Sequence, residues 1–274
     1  MGRRTRILIV LVCLVCLVSC GNTDKKQVVN TIATTTQKKV SDISSNYEEY
    51  TNSKVAFLTF DDGPSKNTEK ILDILKKEEV NATFFVNGID NEFSKQMYKR
   101  MVDEGHTIGN HTYTHTYKNI YTSKYAFIED IKKLDSLIFT ETGYRINVLR
   151  FPGGSNNTVN RKYSNSKNNA FMECLARESD EMGYRYFDWT VDSTDASKIK
   201  QKRSVIVNNT LKEALNQKYP IVLFHDAPAK TTTVDALEEI IHKLKKSGYK
   251  IKSLKYDTPV DSSFLRGTNG EILK

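Results

Sequence analysis

Cysteine is almost absent from this chain, and most of it sits at one end. Of four cysteines in 274 residues, Cys13, Cys16 and Cys20 precede residue 21 and only Cys174 follows. No intramolecular disulfide is therefore available to residues 21–274. Cys174, in the apolar stretch Phe171, Met172, Cys174, Leu175, reads as a small core residue rather than a nucleophile. A membrane-spanning run is lacking as well: the apolar stretch Ile7 to Val18 has twelve residues, against the roughly 20 that a helix needs to cross a bilayer. Clustered positive charge is the third absence. The formal net charge is +8, from 41 Lys and Arg against 33 Asp and Glu, but Arg3, Arg4 and Arg6 contribute three of those bases, and no acid occurs before Asp24. Setting the three arginines aside leaves 38 bases against 33 acids, or +5, with the lysines scattered, so no nucleic-acid footprint is implied. A mildly basic surface suits an anionic wall or membrane as its surroundings.

The N-terminal residues have the form of a targeting signal: three arginines, then an apolar stretch too short to span. Leu17-Val18-Ser19-Cys20-Gly21 resembles the lipobox of bacterial lipoproteins, in which the cysteine is lipidated and becomes the mature N-terminus. That resemblance implies a signal peptide over residues 1–19 and a protein exported and lipid-anchored through Cys20 to the outer face of the cell membrane. Residues 20–50 are polar and lack sustained periodicity, as a flexible tether does.

From residue 51 to about residue 260 the pattern changes to apolar runs alternating with amphipathic stretches. Val55–Phe60, Ala82–Val86, Thr107–Asn110, Val148–Phe151, Tyr184–Val191, Ile221–Phe224 and Tyr249–Leu254 read as strands. Between them, Ile71, Leu72 and Leu75 mark one helix face. Phe127, Ile128, Ile131, Leu134, Leu137 and Ile138 mark a second, and Val234, Leu237, Ile240, Ile241 and Leu244 a third. The pattern predicts an α/β fold with about seven parallel strands, closed into a barrel or left open, and functional groups at the C-terminal strand ends. Residues 261–274 are expected to be a C-terminal tail. Neither an internal repeat nor a second domain is evident.

Polar groups do gather where the strands stop. Thr59-Phe60-Asp61-Asp62-Gly63-Pro64 puts two carboxylates at the end of an apolar strand; turn chemistry alone accounts for the pair as readily as catalysis does. His111 and His115, four apart, would share one face of a helical turn and suit one metal ion, while the absence of a Glu after His111 rules out the zinc-protease helix signature. Arg150 precedes the Pro152-Gly153-Gly154 turn, where the backbone can approach an occupant, and can hold a carboxylate ionised. His225-Asp226 ends the sixth strand. His106 and His242 have no such company and read as structural.

These runs, in this order, resemble the polysaccharide deacetylase family, the NodB-homology carbohydrate esterases, over roughly residues 54–255. Thr59 to Pro64 resembles the first family motif, His111 to His115 the second, Arg150 to Gly154 the third and Leu223-Phe224-His225 the fifth. The fourth departs: Asp192-Ser193-Thr194-Asp195 is followed by Ala196 where many members carry tryptophan, which puts the shape of one groove wall in question. The resemblance implies a distorted (β/α) barrel and a metal-dependent hydrolase that removes N-acetyl groups from a cell-wall polysaccharide, N-acetylglucosamine of peptidoglycan first. Asp62, His111 and His115 would hold a divalent ion, zinc first. Asp61 would be the base and Arg150 its tether. His225 would be the acid, partnered by Asp195 or by Asp192. Leu223, Pro152 and Gly153 would contact substrate. A monomer with no partner beyond wall polysaccharide and membrane is expected. Chitin-oligosaccharide deacetylase and O-acetyl xylan esterase are neighbouring alternatives. More distant readings are a non-catalytic wall-binding lipoprotein and an iron oxygenase with two histidines and one carboxylate.

Overall fold

The computed structural model describes residues 50–272 apart from Lys167. The expected signal segment, Cys20 and all but the last residue of the expected tether lie outside the described residues. Strand β1 (Lys54–Asp61) is the centre of an eight-stranded sheet. Around it stand β2 (Thr83–Val86), β3 (Thr107–Asn110), β4 (Val148–Leu149), β5 (Arg185–Tyr186), β6 (Val191–Asp192), β7 (Ile221–His225) and β8 (Tyr249–Lys252). The order is β5-β4-β3-β2-β1-β7-β6, β8 pairs with Lys54–Phe57 of β1, and every pairing in this sheet is parallel. Parallel neighbours need long crossovers. The helices α1 (Lys66–Lys77), α2 (Glu92–Asp103), α3 (Tyr117–Ile120), α4 (Lys124–Thr142), α5 (Ala170–Glu181), α6 (Arg203–Ala214) and α7 (Thr231–Lys246) lie in those connections. The result is the distorted (β/α) barrel.

Side-chain alternation along β1 divides its two faces. Ala56, Leu58 and Phe60 join the large core formed with Ile71, Leu72 and Leu75 of α1 and Leu237, Ile240, Ile241 and Leu244 of α7. Val55 and Phe57 point the other way, into a smaller interior cluster with Phe85, Val148, Phe187 and Ile221. Above them on that same inner face come Thr59 and Asp61, so the barrel interior turns from apolar to polar toward the C-terminal strand ends. Burial of such side chains is worth about 1.5–3 kcal/mol each, which fixes the register that carries the polar groups. Ser65 caps α1 through a reciprocal pair with Thr68, placing the helix start directly after the Asp61-Asp62-Gly63-Pro64 turn.

Two expectations change. The run Tyr184–Val191 is not one strand: it divides into β5 and β6, at opposite ends of the sheet, which is why seven expected strands become eight. The backbone between them bonds to a side chain, as the Phe187 carbonyl accepts from Arg150 Nε at 3.0 Å and the Asp188 carbonyl from Arg150 Nη2 at 2.9 Å. The stretch expected as a tail is part of the domain through residue 272. Strands β9 (Val260–Asp261) and β10 (Glu271–Ile272) pair antiparallel, and Arg185 donates to the carbonyls of Tyr256, Thr258 and Val260. Phe264 N donates to Asp188 Oδ2 at 2.7 Å, so this segment is fastened to the stretch between β5 and β6.

Candidate active site

Strict alternation would send the adjacent Asp61 and Asp62 to opposite faces of the sheet. Asp62 escapes it by taking a φ of 79°, the left-handed region that a non-glycine residue enters only where its surroundings hold it. Both carboxyls then meet the same histidine: His111 Nε2 lies 3.6 Å from Asp61 Oδ2 and 3.7 Å from Asp62 Oδ1. His115 Nε2 stands 3.4 Å from the same Asp62 oxygen. The two histidines do not share a helical turn as their spacing suggested. They lie on the loop between β3 and α3, where Thr112 (φ 68°) and His115 (φ 49°) are also left-handed. Side chains hold this loop: Asn87 Nδ2 donates to the carbonyls of His111 and Thr112, Thr112 N to Asn110 Oδ1, and His115 N to Thr112 Oγ1.

The cluster fits a metal ion on its own chemistry. Among the described residues, the buried Asp62 Oδ1 has no hydrogen-bond partner, and it faces two imidazole nitrogens. Metal bonds of 2.0–2.1 Å in tetrahedral array set ligand atoms about 3.4 Å apart, close to the spacings found here. His111 Nδ1 lies 2.7 Å from the Arg150 carbonyl, a contact that requires Nδ1–H and leaves Nε2 with a free lone pair. Burial, with the nearby His115, pulls the His111 pKa down to about 3, so the ring is a neutral ligand. Another group of possible ligands, Glu78, Glu238 and His242, lies where Lys77 and Lys245 already pair with its carboxylates, and it reads as a surface ion-pair cluster.

Arg150 is fully buried. Its Nη1 donates to Asp61 Oδ1 at 2.9 Å and to Thr59 Oγ1 at 2.7 Å, and its guanidinium stacks 4.2 Å from the Phe85 ring centre. Burial drives the Asp61 pKa upward; Arg150 opposes this, yet the net direction is up. On the neighbouring strand, Asp61 pairs in register with His225. His225 Nδ1 lies 2.7 Å from Asp195 Oδ1, and His225 N donates to Asp195 Oδ2 at 2.8 Å. Burial alone would lower the His225 pKa, but the bond and charge of Asp195, aided by Asp61 and Asp62, raise it to about 9. Asp192, the other candidate partner, is exposed and accepts from Thr194 N instead.

Leu223 lies on the inner face between Ile221 and His225, buried yet outside the three apolar clusters, as a residue lining a site would be. The Pro152 carbonyl is taken by Tyr121 Oη at 2.8 Å, and a side chain on exposed Gly153 would stand 3.3 Å from Tyr117 Oη. The Tyr117 ring in turn packs 5.6 Å from that of His115. Trp189 packs beside Phe264 and Gly154, and Ala196 is exposed. His106 is buried, with Nδ1 accepting from Ala82 N, and His242 pairs with Glu78; neither joins the site.

Four side chains of the site carried no clear sequence signal. Thr59 bridges Arg150 to the Val222 carbonyl, and Thr233 donates to Asp195 Oδ2 at 2.8 Å. Asp188 accepts from Ser155 N, Ser155 Oγ and Phe264 N. Asp226, next to His225, is buried beneath the Gly63 turn, and its burial raises its pKa to about 7. Only its place beside His225 at a strand end hinted at it.

The polysaccharide deacetylase profile matches residues 48–171. A peptidoglycan-N-acetylglucosamine deacetylase of Bacillus cereus is 31% identical over 204 residues, 73% of this chain and 69% of that protein. The peptidoglycan-N-acetylmuramic acid deacetylase PdaA of Bacillus subtilis is 31% identical over 227 residues, 79% and 78% of the two chains. Among solved structures, the catalytic domain of peptidoglycan N-acetylglucosamine deacetylase from Eubacterium rectale superposes with a TM-score of 0.71 at 35% identity, covering 76% of this chain and 92% of that one. This chain belongs to the polysaccharide deacetylase family.

Proposed function

We propose that the protein hydrolyses N-acetyl groups of peptidoglycan, at N-acetylglucosamine, with a divalent ion held by Asp62, His111 and His115. One observation carries this reading: Asp61 and His225, in register on adjacent strands, flank the three-ligand cluster, each with its own charged partner. The names of the relatives point to the same substrate. Two nitrogens and one carboxylate favour zinc. A divalent ion supplies Lewis acidity that acidifies the attacking water and polarises the acetyl carbonyl.

The chain's own groups move the protons. Asp61 Oδ2, the oxygen not held by Arg150, takes the proton from the attacking water, and the raised pKa makes it the stronger base. Arg150 fixes the orientation of that carboxylate through the opposite oxygen. His225 donates from Nε2 to the departing amine nitrogen as the C–N bond breaks, while Asp195 holds Nδ1–H and favours the charged ring. Leu223 receives the acetyl methyl, and Pro152 and Gly153 border the sugar. The N-terminal lipobox resemblance supports a domain tethered through Cys20 beside the wall it modifies.

The test is acetate release from peptidoglycan, chitin oligomers and acetylated xylan by protein loaded with zinc or another divalent ion, with mass spectrometry of wall fragments before and after. Loss of one acetyl mass from N-acetylglucosamine is the expected result. Preference for chitin oligomers or xylan would reassign the substrate, and no release from any of the three would favour a non-catalytic wall-binding protein.

A further inference from the structure

We infer that Asp226 is a positioning residue that sets the Asp61-Asp62-Gly63 turn, and through it the metal-ligand geometry of Asp62. This rests on the reading of Asp62 as a ligand. Asp226 is 1% exposed, carries no role in the proton transfers above, and follows the acid His225 directly. Its backbone N–H donates to the Asp61 carbonyl at 3.0 Å, so it is fastened to the strand end that carries the base.

Its side chain is held from the other side of the turn. Ser65 N donates to Thr68 Oγ1 at 2.7 Å, and Thr68 Oγ1 donates its only proton to Asp226 Oδ2. Ser65 Oγ donates to the Asp226 carbonyl at 2.5 Å, and Asn67 Nδ2 to the Ala227 carbonyl at 2.7 Å. The start of α1 is thereby bolted to the end of β7, with the turn between them. The carboxyl then packs against Gly63: a Cβ built there would lie 2.1 Å from Asp226 Oδ2 and 2.5 Å from its Cγ. Glycine is required because the Asp226 carboxyl fills the space its side chain would take. Since Asp62 sits in the left-handed region immediately before this glycine, the same packing holds the residue in that conformation and its Oδ1 toward the two histidines.

Side chains that support metal ligands from behind typically change metal affinity by about 10–100-fold when removed. The experiment compares wild type, Asp226→Ala, Asp226→Asn and Thr68→Val by chelator-competition titration of zinc, with circular dichroism and thermal unfolding on the same samples. Asp226→Ala should weaken zinc binding at least about tenfold while remaining folded, and Asp226→Asn, which keeps an acceptor of the same shape for Thr68, should stay within about threefold of wild type. Thr68→Val should weaken binding part of the way. If Asp226→Ala fails to fold, the Asn and Val variants still decide: equal affinity of Thr68→Val and wild type overturns the inference. So does a loss in Asp226→Asn as large as in Asp226→Ala, which would make charge the cause. Wild-type protein that binds no zinc would instead overturn the metal-site reading itself.

Discussion

Replacing Asp195 with Asn removes the negative charge beside His225. Asn has one acceptor oxygen, which can still take Nδ1–H; the other Asp195 oxygen, which accepts from the His225 backbone N–H and from Thr233 Oγ1, becomes an NH2 group, so the negative charge and those two contacts go together. In the native protein the imidazole rises from 6.5 to about 9; at 1.36 kcal/mol for each tenfold change in the proton equilibrium, that is about 3 kcal/mol. The folded pKa exceeds the unfolded one, so this stabilisation is fully present below about pH 6.5 and is lost as pH rises through about 9. Proton-detected nitrogen NMR of the metal-free protein reads the titration directly, and urea unfolding at about pH 6 and about pH 10 reads its linkage to stability. In Asp195→Asn, burial is opposed only by the more distant Asp61 and Asp62. The pKa should fall to about its ordinary value or below, and the loss of stability between the two pH values should shrink by about 3 kcal/mol. The alkaline limb of kcat/KM should move to lower pH with it. A His225 pKa in Asp195→Asn within about half a unit of wild type would refute the assignment of Asp195 as the source of the shift.

Asp62→Asn should weaken zinc binding at least about tenfold by chelator competition, whereas Asp61→Asn should keep zinc and lose at least about 100-fold in kcat; the opposite pattern would reverse the two roles. Arg150→Ala leaves Asp61 buried without its cation and the Phe187 and Asp188 carbonyls without donors. By about 3–5 kcal/mol for the first and 1–3 for each carbonyl, urea unfolding should show a loss of about 5 kcal/mol or more; a loss under about 1 kcal/mol would contradict the bonding described.

The helix faces and the interior strands were legible because period and burial agree there: Val55–Leu58 and Ile221–Phe224 are apolar on both faces, as strands covered on both sides must be. The site residues were legible for a different reason, since apolar strands that stop at a carboxylate or histidine place charge at a rim. The division of Tyr184–Val191 was not legible, because its continuity looks like one strand until Arg150, far away in sequence, takes the carbonyls of Phe187 and Asp188. Nor was the helical placement of His111 and His115 sound. Their spacing of four matches a helical turn, and only the side-chain bonds of Asn87, Asn110 and Thr112 reveal the loop that holds them. The contacts of Asp226 were hidden likewise, because its partners Ser65 and Thr68 lie at the start of a helix that sequence order places far from β7.

Asp61 and His225 are set by the same register that packs the barrel. Phe57 pairs with Ile221, Thr59 with Leu223 and Asp61 with His225, so the inner face climbs from apolar to polar in matched steps on two strands. Phe60 and Phe224, on the outer face, stack with ring centres 5.5 Å apart and lock that pairing against the helices. A one-residue insertion between Phe224 and His225 should therefore leave the aromatic stack in place yet turn the imidazole away from Asp61, because side-chain direction has a period of two. Because the same insertion moves Asp226 off Gly63, the variant should also bind zinc at least about tenfold more weakly, and at saturating zinc it should lose at least about 100-fold in kcat. Retained turnover would mean that the proton for the amine comes from a group other than His225.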